Sequence, residues 1–398
     1  MQYRDTLQAV AYIIPPGVAD SSADIEITTQ SGSSTLAGGM HYLPSAQKYP
    51  LAGAALAQGI YDPTRNVYYF TDAAKIQVFS RNEGQWQSPI AVPTAPVGTA
   101  HRLWGLALSP DGSKLAVADA GAGMIYLIDP GNPASAKSFA MPASCFAGHC
   151  YSSSANGIVT HPAGVAVSNT GMVYIAAFPV GGTGFDGFLK LDTGSGTFLD
   201  YDLGGDDDPM YRVAITSDNA RVFFNYDGQP YSIDTATDTF IFANIAPGCC
   251  YGDDELSLSS NQISLEATSY LYDTNLDAAS YLVLNDRESL NTTYVYGAKM
   301  SSDGSLLFQP SVTGMDVFDG RIGTLRTRIA LPYSLSQNYD ALVSDGTDNV
   351  LVAITDATGD GIAVLDLTSL SEPAPLPYDS WLRRSQIGGA RESAKSRT

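Results

Sequence analysis

One pattern, repeated seven times, constrains this chain more than any other feature. The stretch Leu106 to Asp129, "LALSPDGSKLAVADAGAGMIYLID", consists of an apolar run, an Asp-Gly turn, a second apolar run, a short loop and a third run. Versions of it begin at Gly59 ("GIYDPTRNVYYFTDAAKIQVFS") and Gly164 ("GVAVSNTGMVYIAAF", closed by "LKLD" at Asp192). Others begin at Val213 ("VAITSDNARVFFNYDGQPYSID"), Leu256 ("LSLSSNQISLEATSYLYD"), Ala298 ("AKMSSDGSLLFQPSVTGMDVFD") and Ala341 ("ALVSDGTDNVLVAITDATGDGIAVLD").

Within each unit the apolar residues alternate or run for a few positions, are rich in Val, Ile, Tyr and Phe, and are separated by Asp-Gly or Asn-containing turns, which is the signature of strands. An Asp follows the third strand in six of the units (Asp129, Asp192, Asp234, Asp273, Asp319 and Asp366). There a short carboxylate can bond the turn backbone, so its role is structural. A fourth segment, such as "SFAMP", "TFLDYDL", "TFIFANI" or "TLRTRIALP", completes a four-stranded antiparallel sheet. Sheets repeated at this period close radially, and closure protects most strand edges. The expected fold class is therefore all-β, a seven-bladed β-propeller. The last unit runs into "EPAPLP", which cannot form a normal strand. Residues around Tyr42 to Tyr49 are expected to supply the strand that it lacks.

The "SPDGSKLAVADAGAGMIYLID" segment resembles the YVTN-type β-propeller repeat, in which Ser-Pro-Asp-Gly precedes an apolar strand, an Asn or Asp, and a second strand ending in Ile-Asp. The resemblance covers roughly residues 50 to 370 and is best at Ser109, Thr216 and Ser301, while the unit at Leu256 lacks the Pro-Asp-Gly turn. It implies a seven-bladed fold and bacterial surface-layer-like or binding relatives, without fixing one activity. Upstream, Ala9 to Pro44, "AVAYIIPPGVADSSADIEITTQSGSSTLAGGMHYLP", is similar to the closing half of an IPT/TIG domain, an immunoglobulin-like module. The opening half has no counterpart, so further modules and an export signal are expected ahead of Met1, and residues 1 to 41 should form a partial sheet with an exposed edge. The expected domains are a partial IPT/TIG-like segment over residues 1–44, the propeller over 45–372, and a linker with a basic tail over 373–398.

Composition limits the partners. A formal net charge of −20 with 21 Lys+Arg argues against a grip on nucleic-acid phosphates, which clustered cations supply. No apolar run approaches the roughly 18 residues that a membrane-spanning helix needs. The start, "MQYRDTLQAVAYIIPPGV", lacks the basic and apolar regions of a signal peptide. Many Gly, Ser, Thr, Tyr and Asp, few Lys and two close cysteine pairs nonetheless suit an extracellular, cell-surface or periplasmic location.

Loop lengths divide the two faces of such a ring. First-to-second-strand turns are tight, whereas connections between units are long: "SPIAVPTAPVGTAHR", "MPASCFAGHCYSSSANGIVTHP", "GGDDDPM" and "APGCCYGDDE". Long loops on a rigid scaffold are where binding resides. Aligning the first strands on their turns places Leu56, Trp104, Ala163, Tyr211, Asp254, Tyr296 and Tyr339 at one level, and Ala57, Gly105, Gly164, Arg212, Glu255, Gly297 and Asp340 at the next. Crowded inner positions need small residues, so Arg212, Glu255 and Asp340 stand out. With Trp104, Tyr211, Tyr296 and Tyr339 they compose a candidate ligand-binding ring for a protein or glycan. Arg212 alternatively pairs with a carboxylate and seals the channel.

Carboxylates crowd two of the long loops. Asp206, Asp208, Asp253 and Asp254 could hold Ca²⁺ through hard oxygen ligands, although no diagnostic calcium spacing is present and the alternative is solvated acidic loops. His41, His101, His149 and His161 make no zinc signature. The "TGSGT" segment at Thr193 to Thr197 lacks the strand-to-helix context of a serine nucleophile. Cys145 and Cys150 are spaced for a local disulfide. Cys249 and Cys250, with Cα atoms about 3.8 Å apart, fall below the usual disulfide window of about 4.4–6.8 Å, and their pairing is open. These readings favour a non-enzymatic exported or cell-surface binding or scaffolding propeller with no required cofactor. The alternative is a calcium-dependent, lactonase-like propeller hydrolase.

Overall fold

A computed structural model describes residues 22–29, 32–41, 46–142, 160–179, 187–201, 212–226, 229–242, 256–259, 262–265, 270–273, 275–276, 278–281, 298–311, 314–320, 325–331, 333–336, 341–355 and 359–367. The chain divides into two compact units, one of residues 46–365 and one of residues 1–45 with 366–398. The described part of the second unit is a two-stranded antiparallel sheet, Ser22–Thr29 against Gly32–His41, with a register break between Ala23 and Ile25 and with Leu36 55% exposed. The facing sheet that an immunoglobulin-like sandwich requires is not among the described residues.

The larger unit contains seven four-stranded sheets. The first comprises Gly59–Asp62, Val67–Asp72, Lys75–Ser80 and Gln85–Ala91, and the second Leu103–Leu108, Leu115–Asp119, Met124–Asp129 and Asn132–Ala140. The third comprises Thr160–Val167, Met172–Pro179, Gly187–Asp192 and Thr197–Asp200, and the fourth Val213–Ile215, Arg221–Tyr226, Gln229–Asp234 and Thr239–Phe242. The fifth comprises Leu256–Leu258, Gln262–Leu265, Tyr270–Asp273 and Ala278–Tyr281, and the sixth Lys299–Met300, Leu306–Ser311, Gly314–Asp319 and Leu325–Ala330. In the seventh, Leu342–Ser344, Val350–Ile354 and Gly361–Asp366 are joined by Gln47–Pro50 from the start of the unit. The first strand of each sheet lies against that of the next, and that of the seventh lies against that of the first. The unit is an all-β propeller.

Burial explains why successive strands differ in composition. Val67–Asp72, Leu115–Asp119 and Gly314–Asp319 are buried at every position, because both faces of a middle strand are covered by neighbouring sheets. Such strands read as continuous apolar runs. The outer strands Gln85–Ala91 and Asn132–Ala140 are mostly exposed and carry Gln, Ser, Lys and Pro. Between the second and third sheets, Ala116, Ala118 and Ile125 meet Val165, Val173, Ile175 and Leu189 in one apolar cluster. In the second sheet, the first strand leaves no room for a side chain at Gly105. A Cβ placed on Gly105 would collide with the carbonyl oxygen of Ala163 in the next sheet.

The seventh sheet is closed from the start of the unit, as the sequence led us to expect. Gln47, Lys48, Tyr49 and Pro50 pair with Val364, Ala363, Ile362 and Gly361. The Tyr49 ring meets Phe79 of the first sheet edge-on at 4.8 Å, and Lys48 lies 3.3 Å from Asp360.

On the tight-turn face, polar contacts link one sheet to the next. Arg65 Nη1 bonds Asp62 Oδ2 at 2.7 Å and donates across to the Gly112 carbonyl at 2.9 Å. Asp111 N donates to Asn169 Oδ1 at 3.0 Å, and Asn169 N to Asn219 Oδ1 at 2.8 Å. Ser302 N donates to Asp348 at 2.8 Å, and Arg81 reaches Asp345 of the seventh sheet at 2.5 Å. Three of the six Asp residues predicted to cap third strands do so, while Asp319 accepts from Arg326. Asp129, Asp192 and Asp234 accept from the amides of Gly131, Gly194 and Ala236.

Two expectations follow from this architecture. A protein beginning at residue 46 should unfold cooperatively like the full chain, whereas one beginning at residue 51 lacks the closing strand and should melt at least about 5 °C lower by calorimetry. Hydrogen bonds from Ser109 and Ser113 lower the Asp111 pKa from 3.8 to about 2, and those from Ser195, Thr216 and Thr237 lower Asp192, Asp218 and Asp234. Folded values below unfolded ones mean that this stability is complete above about pH 4 and is lost as pH falls toward about 2. The melting temperature should drop across that window, and less so at its lower end in Asp111→Asn.

Candidate functional site

The connection from the first sheet to the second, residues 92–102, is ordered by its own chemistry. Thr99 N and Thr99 Oγ1 donate to the Pro96 carbonyl at 3.1 and 2.8 Å, closing a four-residue turn over Val97 and Gly98. Gly98 has φ +89°, as the third position of a type II turn requires. Val97 stands at the second position with its side chain fully in solvent.

The loop rejoins the scaffold at a buried carboxylate. Asp119, at the end of the second strand of its sheet, is 0% exposed. Its Oδ1 accepts from the amides of Arg102, Gly121 and Ala122 at 2.9, 3.1 and 3.0 Å. Its Oδ2 lies 2.6 Å from His101 Nδ1 and accepts from Tyr126 OH at 3.2 Å. Burial and the adjacent Asp119 charge raise the Tyr126 pKa, so the phenol stays protonated and donates. His101 faces Asp119 through Nδ1, and its ring is mostly buried.

Trp104 follows at a bulge. The register between Leu103–Leu108 and its partner strand slips between Leu103 and Leu106. A bulge strips backbone groups of ladder partners and redirects a side chain. Side chains of the first sheet compensate: Thr71 Oγ1 donates to the Trp104 carbonyl at 2.9 Å, and Gln58 Oε1 accepts from Leu106 N at 2.8 Å. The third sheet has the same irregularity, between Pro162 and Val165. The indole of Trp104 is partly exposed, and the Arg102 guanidinium lies over it at 5.1 Å. His161, entering the third sheet, bonds the Ala120 carbonyl through Nδ1. Burial and the Arg102 charge lower its pKa, while Asp119 pulls the other way.

Of the ring read from the sequence, Trp104 and Arg212 lie among the described residues; Tyr211, Glu255, Tyr296, Tyr339 and Asp340 lie outside them. Trp104 is open to solvent. Arg212 is not: it is 3% exposed, at the register position that Gly105 holds in the second sheet, where the neighbouring first strand crowds in. It lines no open surface. The seventh sheet also shifts the alignment by one residue. Asp345 N donates to the Val350 carbonyl as Ser109 N does to that of Lys114, so Ala341, not Asp340, corresponds to Gly105.

Asp206, Asp208, Asp253, Asp254, Cys145, Cys150, Cys249 and Cys250 also lie outside the described residues. Among the described residues no three His, Cys, Asp or Glu side chains are grouped to hold a metal ion, and no helix is long and apolar enough to cross a membrane. Val97, His101, Arg102 and Asp119 were not singled out as interface residues from the sequence. The "PVGT" turn and the Gly inside "LWGLAL" were the available signals, for an ordered loop and a bulge respectively.

No family profile and no curated relative matches the sequence. Solved structures do match in shape. The Cps50 (Swd1) β-propeller domain of Myceliophteria thermophila superposes with a TM-score of 0.59 at 12% identity, covering 81% of this chain and 100% of that one. The RRP9 WD40 repeats superpose with a TM-score of 0.55 at 12% identity over 81% and 99% of the two chains. Kuenenia stuttgartiensis hydrazine synthase does so with a TM-score of 0.54 at 13% identity over 81% and 98%. At these identities the likeness establishes the propeller fold. One of the three is an enzyme by its name, so the fold leaves the activity open.

Removing the Asp119 carboxylate would leave three buried amides and a phenol without their acceptor. Asp119→Ala is expected to destabilise the propeller by about 3–5 kcal/mol in denaturant titration. Because the folded His161 pKa lies below its unfolded value of 6.5, its neutral form is favoured by folding. The corresponding stability is present above that value and lost as pH falls below it, so melting temperature should decline from about pH 7 to about pH 5.5. His161→Asn should flatten that decline.

Proposed function

We propose that this chain is a non-enzymatic protein-interaction or scaffolding module, a closed seven-bladed propeller that presents its long-loop face to a partner. The observation that carries this reading is Val97, a fully exposed apolar side chain at the apex of a hydrogen-bonded turn, in the connection that leads into the partly exposed Trp104 on its bulge. An ordered loop loses little conformational freedom on binding, and aromatic anchors supply much of the energy of protein interfaces. The opposite face is occupied by short turns bonded to one another from sheet to sheet. Seven four-stranded sheets, whose first strands follow one another around and return to the first, support the blade number. The composition and the resemblance to surface-layer-like repeats support an exported or cell-surface setting.

Site-specific photocrosslinking tests the choice of face. A benzophenone side chain at position 97 should form discrete adducts with a protein from an extract of the source organism, and the same group at Ser217, exposed in a tight turn, should not. Equal labelling from both positions, or none from position 97, would refute the reading.

A further inference from the structure

The two connections that flank the second sheet in the sequence depart in charge from the chain as a whole. The chain carries a net charge of −20, yet residues 91–103 and 141–161, the long connections on either side of the second sheet, contain His101, Arg102, His149 and His161 and not one Asp or Glu. Asp119, which holds His101 and the Arg102 amide, is fully buried and already accepts from three amides, a phenol and an imidazole. Asp72, at the end of the corresponding strand in the first sheet, is 6% exposed and is engaged by Ala55 N, Ala73 N and Gln77.

Arg102 is fixed at both ends. Its amide is held by Asp119 and its guanidinium rests on the Trp104 ring. Among the described residues no carboxylate or carbonyl accepts from that guanidinium, which is solvent-exposed. A planar fork of donors, oriented in advance and left open, fits a carboxylate bidentately. His161 lies within range of the same charge, and His101 adjoins Arg102 in the chain.

We propose that Arg102 is the receptor for a carboxylate side chain in an acidic peptide segment of the partner, with Val97 contacting an apolar residue of that segment. This rests on the proposed protein-interaction role and specifies its chemistry. A peptide is favoured over an acidic glycan because the Trp104 face that would stack on a sugar ring already carries the guanidinium. The apolar turn apex calls for an apolar side chain near the acid.

The test is fluorescence anisotropy at about 0.15 M salt, where charges beyond about 8 Å are screened. The probe is a labelled peptide of four Glu and two Leu, with the four-Gln counterpart as control. The full chain should bind the Glu peptide at least tenfold more tightly than the Gln peptide. Arg102→Gln should weaken Glu-peptide binding at least tenfold with an unchanged melting temperature, and Lys137→Gln, on an exposed outer strand, should leave it unaltered. Arg102→Lys keeps the charge without the planar fork, and its intermediate affinity gives a second reading independent of the Gln variant. Equal binding of the two peptides, no binding of either, equal affinity of the wild type and Arg102→Gln, or Arg102-dependent binding of polygalacturonate in place of the peptide would overturn the proposal. Adducts from position 97 that persist in Arg102→Gln would reject this site while leaving the interaction role standing. Absence of adducts would reject the role itself.

Discussion

The middle strands of this propeller are buried on both faces, and that condition requires a sheet on either side of every sheet. An open row would leave two apolar faces in water at its ends; a ring leaves none. The seventh sheet shows how the requirement is met. Its fourth strand, Gln47–Pro50, comes from the start of the unit, so the two ends of the unit share one sheet. Opening the ring therefore means breaking a strand ladder as well as an apolar interface.

Closure crowds the first strands near the axis, and the crowding shapes the candidate site. Where Gly105 abuts the Ala163 carbonyl, the strand bulges, and the bulge leaves backbone groups that Thr71 and Gln58 of the neighbouring sheet satisfy. The same bulge directs Trp104 toward solvent. The exposed aromatic is thus a by-product of inner-strand packing, held by residues more than thirty positions away. Asp119 has a similar double role. Its buried charge organises the end of the 92–102 loop, and by gripping the Arg102 amide it sets where an exposed cation stands. Stability and presentation cannot be separated at this carboxylate.

The two faces divide the labour. On one, turns of about five residues are tied to the next sheet by Arg65, Asn169, Asn219 and Asp348. That face is stapled by polar contacts, and its turns hold the Asp111, Asp192, Asp218 and Asp234 carboxylates below their usual range. On the other, the 92–102 connection carries its own turn and presents Val97 to solvent. Three structural likenesses at 12–13% identity show the propeller fold alone. A scaffold kept by apolar burial tolerates nearly any loop sequence, so the shape survives while recognition changes.

Strand positions, the tight turns and the capping roles of Asp129, Asp192 and Asp234 were legible in the sequence by itself, because each depends on chemistry within a few residues, and the origin of the closing strand followed from the missing fourth strand of the last unit. Alternating or continuous apolar runs report burial, and Asp-Gly or Asn turns report reversal. The site was only partly legible. Trp104 stood out by its type, but Arg212, offered either as part of an open ring or as a seal, is buried, and nothing in the sequence marked Asp119, on which five donors converge. Those properties depend on which residues of adjacent sheets meet, across separations of dozens of positions. Tertiary closure alone decided them, because only when the sheets pack radially do a bulge, a buried carboxylate and a loop end come within hydrogen-bonding reach of one another.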